Sequence, residues 1–352
     1  MIKVLAFALY GPLAASTRYR LGQYVPGLAS LGIHLKICHL LGDDYLRWRF
    51  GGGEVPIVEM IRAGMNRLAD LWRQNEYDAS LLHCELFPLL PGLLERALMR
   101  QPYIYDFDDA FYLKYRRNAL AVAEPLLSNK FDTIMAGAAT VTAGNHQLDQ
   151  YASQFNANTQ YLPTVVDTSR YLPRYACRSD TFTVGWIGSP STSTYLSKLV
   201  EPLSAIGKEG SVRLIVIGGK APAIPNVTVV EIEWNEHTEV DLINSFDVGV
   251  MPLPDDDWAR GKCAFKLIQY MACAVPVVAS PVGANLDVVN EECGVLAATH
   301  QEWTNALRML RDQPSKRTQM GEAGRERVTQ HYSLHHTLPV LAHVLRTAVR
   351  SG

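Results

Sequence analysis

"IKVLAFALYGPLAASTRYRLGQYVPGLASLGIHLKICHL" (Ile2–Leu40) decides how the chain is read. "IKVLAFAL" is a short apolar run that stops at Gly11-Pro12. A helical pattern follows from about Thr17 to Leu31, and "IHLKICHL" is a second apolar, β-branched run. Strand, helix, strand in this space is a crossover unit, which makes the two strands parallel. The first residues, "MIKVLAFALYGPLAAS", also have the lysine, apolar stretch and small residues of a signal peptide. The shortness of that stretch and the helix directly after it favour a buried first strand.

The alternation continues outward. A helical region from about Val55 to Gln74 leads to "YDASLLHCE", and further helices separate "PYIYDF", "ATVTAG" and "TQYLP". "PTVVDTSRYLPRYACRSD" (Pro163–Asp180) has no period and reads as a boundary. Then "FTVGWIG", "RLIVIGG", "VTVVEIE", "DVGVMPL", "PVVAS" and "GVLAA" read as strands. Leu196, Leu199, Leu203 and Ile206 mark one face of a helix between the first two. From about Gln301 the chain reads as helical, with breaks at Pro314 and His331–Ser333. The expected fold is α/β: two doubly wound, Rossmann-like domains facing a cleft. Residues 1–165 form the first, 166–180 the linker, 181–334 the second, and 335–352 a final helix. Ligands of such sheets bind at the carboxyl ends of the strands.

Composition narrows the function. Hydrophobic residues are 48% of 352 and charged residues 19%, which supports large cores and argues against disorder. A formal net charge of -2 gives no reason to expect nucleic acid. Cys38, Cys84, Cys177, Cys263, Cys273 and Cys293 show no metal-ligand spacing. They fit reduced thiols in a cytoplasmic protein. No apolar run is long enough to span a bilayer.

"YDFDDAF" (Tyr105–Phe111) sets Asp106, Asp108 and Asp109 within four positions at the end of a strand. Three adjacent carboxylates repel unless a cation offsets them. One reading is an Asp-x-Asp metal site. The other is a strand end in which Asp106 or Asp109 caps the next helix.

"DVGVMPLPDDDWARGKCAFKLIQYMACAVPVVASPVGANLDVV" (Asp247–Val289) resembles the nucleotide-sugar region of glycosyltransferase family 4, the glycosyl transferases of group 1. "MGEAGRERVTQHYS", "LPTVVDTSRYLP" and "GNHQL" resemble further motifs of that family, in the same order. The resemblance implies the GT-B architecture, with the last helix crossing back to the first domain. It implies a sugar nucleotide on the second domain, an acceptor on the first, retaining transfer, and no cofactor or metal. Asp-x-Asp metal sites belong to another glycosyltransferase architecture, so the metal reading of "DFDD" gives way. By alignment with the family's "H-D", Asp108 and Asp109 become the catalytic candidates. They orient or deprotonate an acceptor hydroxyl, or stabilise an oxocarbenium-like transition state.

On the donor side, "GWIGSPSTSTYLSKL" places Gly188, Ser189, Ser191 and Thr192 between strand and helix, where backbone N–H groups approach phosphate. The bland reading is a serine-rich turn. Lys198 lies too far along, so Arg260, Lys262 and Lys266 of "WARGKCAFK" are the candidate cations, with the two lysines on one helix face. Gly218 is placed near the base, and Gly283 and Ala284 near the sugar or phosphate. The family's two helix glutamates correspond to Gly261 and Gln269. Gln269 retains the capacity to bond a ribose hydroxyl. Asp255, Asp256 or Asp257 offers a substitute carboxylate.

On the acceptor side, Ser16, Thr17, Arg18 and Arg20 follow the first strand, and Glu85 with His83 ends the third. An arginine there grips a phosphate or carboxylate, or simply begins a helix; Glu85 is a second acceptor contact, or it and His83 are satisfied inside the protein. "YLRWRF" (Tyr45–Phe50) and "KYRRN" (Lys114–Asn118) interleave aromatic and basic residues as membrane-surface segments do. Contact with the inner face of a membrane is therefore an open expectation. The leading function is transfer of a sugar to a saccharide or glycolipid in surface polysaccharide or glycoconjugate synthesis. The alternatives are a sugar-nucleotide epimerase and a binding subunit without activity.

Overall fold

The computed structural model describes residues 1–51, 57–100, 102–116, 127–174 and 180–351. Two compact units result. One comprises Met1–Val165, Gly261–Cys263 and Leu334–Gly352; the other comprises Val166–Arg260 and Ala264–Ser333.

The first unit is built on β1 (Ile2–Tyr10), β2 (Ile33–Leu41), β3 (Ala79–His83), β4 (Tyr103–Phe107), β5 (Thr140–Ala143) and β6 (Thr159–Tyr161). Their spatial order is β2-β1-β3-β4-β5-β6, with every pairing parallel. All residues of β3 and β4 are buried, as strands covered on both faces must be. The helices of this unit include α1 (Val25–Ser30), α2 (Asp43–Gly51), α3 (Ile57–Trp72) and α4 (Gly92–Leu98). Phe7, Leu82, Tyr105, Phe131 and Ile134 lie at the centre of the core. Phe7, Leu82, Phe131 and Ile134 each contribute about 1.5–3 kcal/mol by leaving water. The final helix, Leu334–Ser351, belongs to this unit. Tyr24 and Thr337 share a hydroxyl–hydroxyl bond of 2.8 Å, and Arg346 donates to the Leu31 carbonyl at 2.8 Å.

The second unit carries β7 (Phe182–Ile187), β8 (Val212–Ile217), β9 (Thr228–Ile232), β10 (Val248–Met251), β11 (Val277–Ala279) and β12 (Gly294–Leu296). The order is β12-β11-β10-β7-β8-β9, again all parallel. Leu196, Leu199, Leu203 and Ile206 are fully buried with Val184, Trp186 and Trp303.

In each sheet the strand order reverses beside the first strand, between β1 and β3 and between β7 and β10. That reversal opens a crevice at the carboxyl ends. The loops carrying the candidate residues leave from those ends.

Two sequence expectations need correction. The helix expected over Thr17–Leu31 is a π-helical turn (Thr17–Leu21), a 3-10 turn (Gly22–Tyr24) and then α1. The next helix closes with a 3-10 turn over Arg73–Glu76, and Val55 lies outside the described residues. Cys177, part of the boundary segment, and Arg117 and Asn118 of "KYRRN" also lie outside them, while Cys38, Cys84, Cys263, Cys273 and Cys293 are buried free thiols. Among the described residues, no helix is long and apolar enough to cross a membrane.

Candidate active site

Register assembles the centre of the first unit. His83, Asp106 and Thr142 are in-register neighbours on β3, β4 and β5, so their side chains share one sheet face. Asp106 is buried and fully occupied. Arg20 holds both its oxygens, with Nε at 3.1 Å; His83 Nδ1 lies 2.8 Å away, and the Thr142 hydroxyl donates to it. Burial pushes the carboxyl up, but Arg20 and His83 outweigh it and hold Asp106 well below the usual range. An ionised carboxylate only accepts, so His83 Nδ1 carries the proton. Among the described residues, Asp106 caps no helix.

Two residues on, Asp108 reaches the same face. Its carboxyl is pushed up to about 6, chiefly by burial, with His83 opposing and Asp109 adding to the shift. Its Oδ1 lies 4.0 Å from His83 Nε2, a buried nitrogen with no hydrogen-bond partner among the described residues. That span is too long for a direct bond and leaves the room that one bridging oxygen, of a water or a hydroxyl, requires. Asp109 lies 3.7 Å from Lys262. The Asn145 amide donates to the Gly261 and Lys262 carbonyls, both at 3.0 Å, and Cys263 Sγ donates to the Asp108 carbonyl at 2.9 Å. A Cβ on Gly144 would come within 2.5 Å of Cys263 Sγ, so this close approach requires glycine. Cys84 adopts φ 69°, a conformation that non-glycine residues rarely hold away from special sites. His83, Cys84 and Asp108 offer three ligand atoms within 4.8 Å of one another.

The structure redirects the expected acceptor residues. Arg20 is buried on Asp106 and donates also to the Leu162 carbonyl. Glu85 is fully buried, with Lys130 at 2.6 Å, Lys114 at 3.1 Å and the Tyr115 hydroxyl at 2.8 Å. Burial raises Glu85, but Lys130 and Lys114 beside it bring it below its ordinary value. Neither Arg20 nor Glu85 has the exposure that gripping an acceptor needs. Thr17 donates to the Tyr10 carbonyl at 2.9 Å, and Arg18 to the Pro12 and Leu13 carbonyls at 2.7 and 2.8 Å. Those two and half-exposed Ser16 shape the loop after β1.

In the second unit, the loop after β7 lies close to the end of β8. A Cβ on Gly188 would meet the Trp186 ring at 2.6 Å and Lys266 Cε at 2.8 Å. One on Gly218, whose φ is 75°, would meet the Gly188 carbonyl oxygen at 2.5 Å. Lys266 Nζ lies over the Trp186 ring at 5.4 Å. Ser189 and Ser191 share a hydroxyl bond of 2.8 Å, and the Thr192 hydroxyl donates to the Ser189 carbonyl. Gly283, at φ 54°, packs on the Arg260 backbone, and Ala284 precedes a short helix. Arg260 is held by Asp255 at 2.7 Å, and Asp256 caps Ala259.

Two donor expectations change. Lys262 and Lys266 share no helix face, because Ala264 at φ 52° separates Lys262 from the helix Phe265–Ala272. Gln269 is buried and donates to the Tyr171 hydroxyl at 2.9 Å; that hydroxyl and Trp234 Nε1 both donate to Glu239. Glu239 was not legible as part of this network, since nothing in its sequence neighbourhood marks it.

Residues 181–313 match the family model Glycosyl transferases group 1. No curated protein matches the chain in sequence. Among solved structures, sucrose-phosphate synthase from Thermosynechococcus elongatus is similar at TM-score 0.71 and 16% identity, covering 100% of both chains. HepE from Anabaena, in complex with UDP and glucose, is similar at TM-score 0.68 and 15% identity, over 98% of this chain and 100% of its own. WaaG, a glycosyltransferase involved in lipopolysaccharide biosynthesis, gives TM-score 0.64 and 15% identity, over 97% and 99%. These likenesses establish the GT-B fold that the sequence implied. The group 1 segment covers β7 to β12 and the helix His300–Asp312.

At Gly261, where the resemblance would place a glutamate, packing opposes a side chain. A Cβ on Gly261 would come within 2.5 Å of the Ala110 Cβ and 3.1 Å of its backbone nitrogen. The family glutamate therefore does not fit here without movement. Gly261→Ala is expected to lower stability by about 1–3 kcal/mol, as overpacking does. A thermal melt unchanged from wild type would show that this contact yields freely.

Proposed function

We propose that the chain is a retaining, metal-independent glycosyltransferase of the family 4 kind. It moves a hexosyl group from a nucleotide sugar to a saccharide or glycolipid, in surface polysaccharide or glycoconjugate synthesis. The observation that carries this reading is the group 1 match over residues 181–313, on a chain with the GT-B fold. HepE, solved with UDP and glucose, supports a nucleotide-sugar donor, and WaaG's role supports a glycolipid acceptor. The site of action in this reading is cytoplasmic, at the inner face of a membrane.

The residues take these roles. The loop Gly188–Thr192, with Gly218 and Lys266 against it, receives the donor diphosphate through backbone N–H groups and the ammonium. Gly283, Ala284 and Arg260 add further charge and backbone contacts within the second unit, while Lys262 lies in the first unit beside Asp109. An acceptor hydroxyl bridges Asp108 and His83 Nε2. Asp108 takes its proton as the acceptor oxygen bonds to the anomeric carbon and the bond to the donor phosphate breaks. Nucleoside diphosphate leaves.

Release of nucleoside diphosphate from sugar nucleotides, with a saccharide acceptor and with EDTA present, tests this reading. Turnover that persists in EDTA is expected. Loss in EDTA, restored by a divalent cation, would overturn metal independence and point to the His83, Cys84 and Asp108 trio. A second reading, a binding subunit without activity, is favoured by glycine at 261 and by the engagement of Gln269 with Tyr171. It requires donor binding with neither transfer nor hydrolysis.

A further inference from the structure

The His83 ring is oriented as metal-binding histidines are. Its Nδ1 donates to Asp106 at 2.8 Å, and Arg20 and Thr142 fix that carboxylate in turn. An imidazole that donates one nitrogen to a carboxylate presents the lone pair of the other, and the carboxylate raises its basicity. That other nitrogen, Nε2, is buried and has no hydrogen-bond partner among the described residues. An unpaired polar atom in such a place costs about 1–3 kcal/mol, which favours any occupant that binds it.

Cys84 adds a ligand of a different kind. Consecutive residues of an extended strand point to opposite faces, and His83 is the last residue of β3. At Cys84 the backbone turns to φ 69°, which ends that alternation. One nitrogen of His83, Cys84 Sγ and one oxygen of Asp108 lie within 4.8 Å of one another. Tetrahedral zinc, with bonds of about 2.0–2.3 Å, sets its ligand atoms about 3.3–3.8 Å apart. The 4.0 Å between His83 Nε2 and Asp108 Oδ1 is within about 1 Å of that. The Asp108 side chain is 14% exposed and that of His83 1%, so the cluster opens to solvent on the Asp108 side.

We propose that His83, Cys84 and Asp108 form an inhibitory site for zinc, with water in the fourth position. Nitrogen and sulfur ligands select zinc over magnesium or calcium, which take oxygen. Binding forms a zinc–sulfur bond as the Cys84 S–H bond breaks, and the proton goes to water. Burial, with Asp108 and Asp106 nearby, pushes that thiol up, and the charge of the ion offsets this. Arg20 already matches Asp106, and Asp109 lies 3.7 Å from Lys262, so the thiolate and the Asp108 carboxylate balance the two charges of zinc. The inhibition rests on the glycosyltransferase reading above. Zinc takes the Asp108 oxygen and the His83 nitrogen that an acceptor hydroxyl would bridge, so transfer proceeds without metal and stops with it.

Cobalt(II) titration of the reduced full chain, without any sugar nucleotide, tests the site apart from transfer. Cobalt occupies zinc sites, and its bond to a thiolate gives an intense near-ultraviolet charge-transfer band. The wild type is expected to show that band and to lose it when zinc is added. Cys84→Ser and Cys84→Gly are expected to lack it, and Cys263→Ser to keep it. Glycine suits φ 69°, so Cys84→Gly serves if serine disturbs the fold. In transfer assays, zinc is expected to inhibit the wild type and EDTA to restore its rate. The zinc concentration for half inhibition rises at least about tenfold in Cys84→Ser, measured against that variant's own zinc-free rate. No thiolate band in the wild type, or an equal band in both Cys84 variants, overturns the site. Bound zinc that leaves transfer unchanged overturns the inhibition. A chain that shows the Cys84-dependent band but transfers no sugar under any condition keeps the metal site and loses the inhibitory role together with the glycosyltransferase reading.

Discussion

Asp108→Asn is expected to abolish transfer while making the protein more stable at neutral pH. The Asp108 carboxyl is raised to about 6 by burial, with His83 opposing and Asp109 adding. The folded state therefore holds this proton more tightly than the unfolded chain does. Stability contributed at this position is present below the unfolded value, about 4, and is lost as pH rises to about 6. Above that, a charge sits where burial disfavours it. Asparagine removes the penalty, with a gain on the order of 1–3 kcal/mol at pH 7 that disappears below about pH 4. Activity follows the opposite sign. Only the ionised form accepts a proton, so wild-type turnover rises with pH through about 6. The variant loses about 100-fold to 10,000-fold in kcat, while donor affinity by calorimetry stays within a few-fold. Wild-type-like turnover in Asp108→Asn would remove this carboxylate from the mechanism.

Arg20→Leu carries the largest expected loss of stability. Arg20 and Asp106 are both buried, and the guanidinium meets both carboxylate oxygens. Removing one partner leaves an uncompensated charge inside the first unit and costs about 3–5 kcal/mol. The acid dependence changes too. Burial raises Asp106, but Arg20 and His83 hold it far below its ordinary value, so its contribution is complete above that value and is lost as pH falls. Without Arg20, acidification destabilises the protein less. Arg20→Met/Asp106→Leu is expected to recover part of the single loss, since no unpaired carboxylate remains. Denaturant melts of the single and double variants measure both effects. Equal stability of Arg20→Leu and wild type would mean that Asp106 finds another cation.

The strands were legible because parallel strands buried on both faces read as short apolar runs between helices. The positions of Asp108 and Asp109 at a strand end, and of Gly188 and Gly218 after strands, followed from the same pattern. The partners did not. Arg20 and Asp106 are separated by 86 residues, and only the register of β3, β4 and β5 brings His83 and Thr142 onto that carboxylate. Local sequence left Arg20 open between ligand contact and a helix start, and Glu85 between ligand contact and an internal role, because burial of a charge depends on a distant counter-charge. Helical spacing also misled at Lys262 and Lys266, where one left-handed residue, Ala264, ends the period. For α3 the sequence showed a helical region and not which face of it meets the sheet. Arg67 on the inner face donates to the Ala8 carbonyl of β1 and seats the helix.

The most direct test of the central claim is the thermal stability of the chain with UDP-, GDP-, ADP- and TDP-sugars, each with and without EDTA. A ligand that binds only the native state at 100 times its Kd adds about 2.7 kcal/mol. A rise of several degrees with one nucleotide class, unchanged by EDTA, is the expected result. It would identify the donor base and leave "DFDD" as an acid–base and acceptor-orienting cluster. No rise with any sugar nucleotide would contradict a donor site in the second unit. A rise that EDTA abolishes would contradict metal independence.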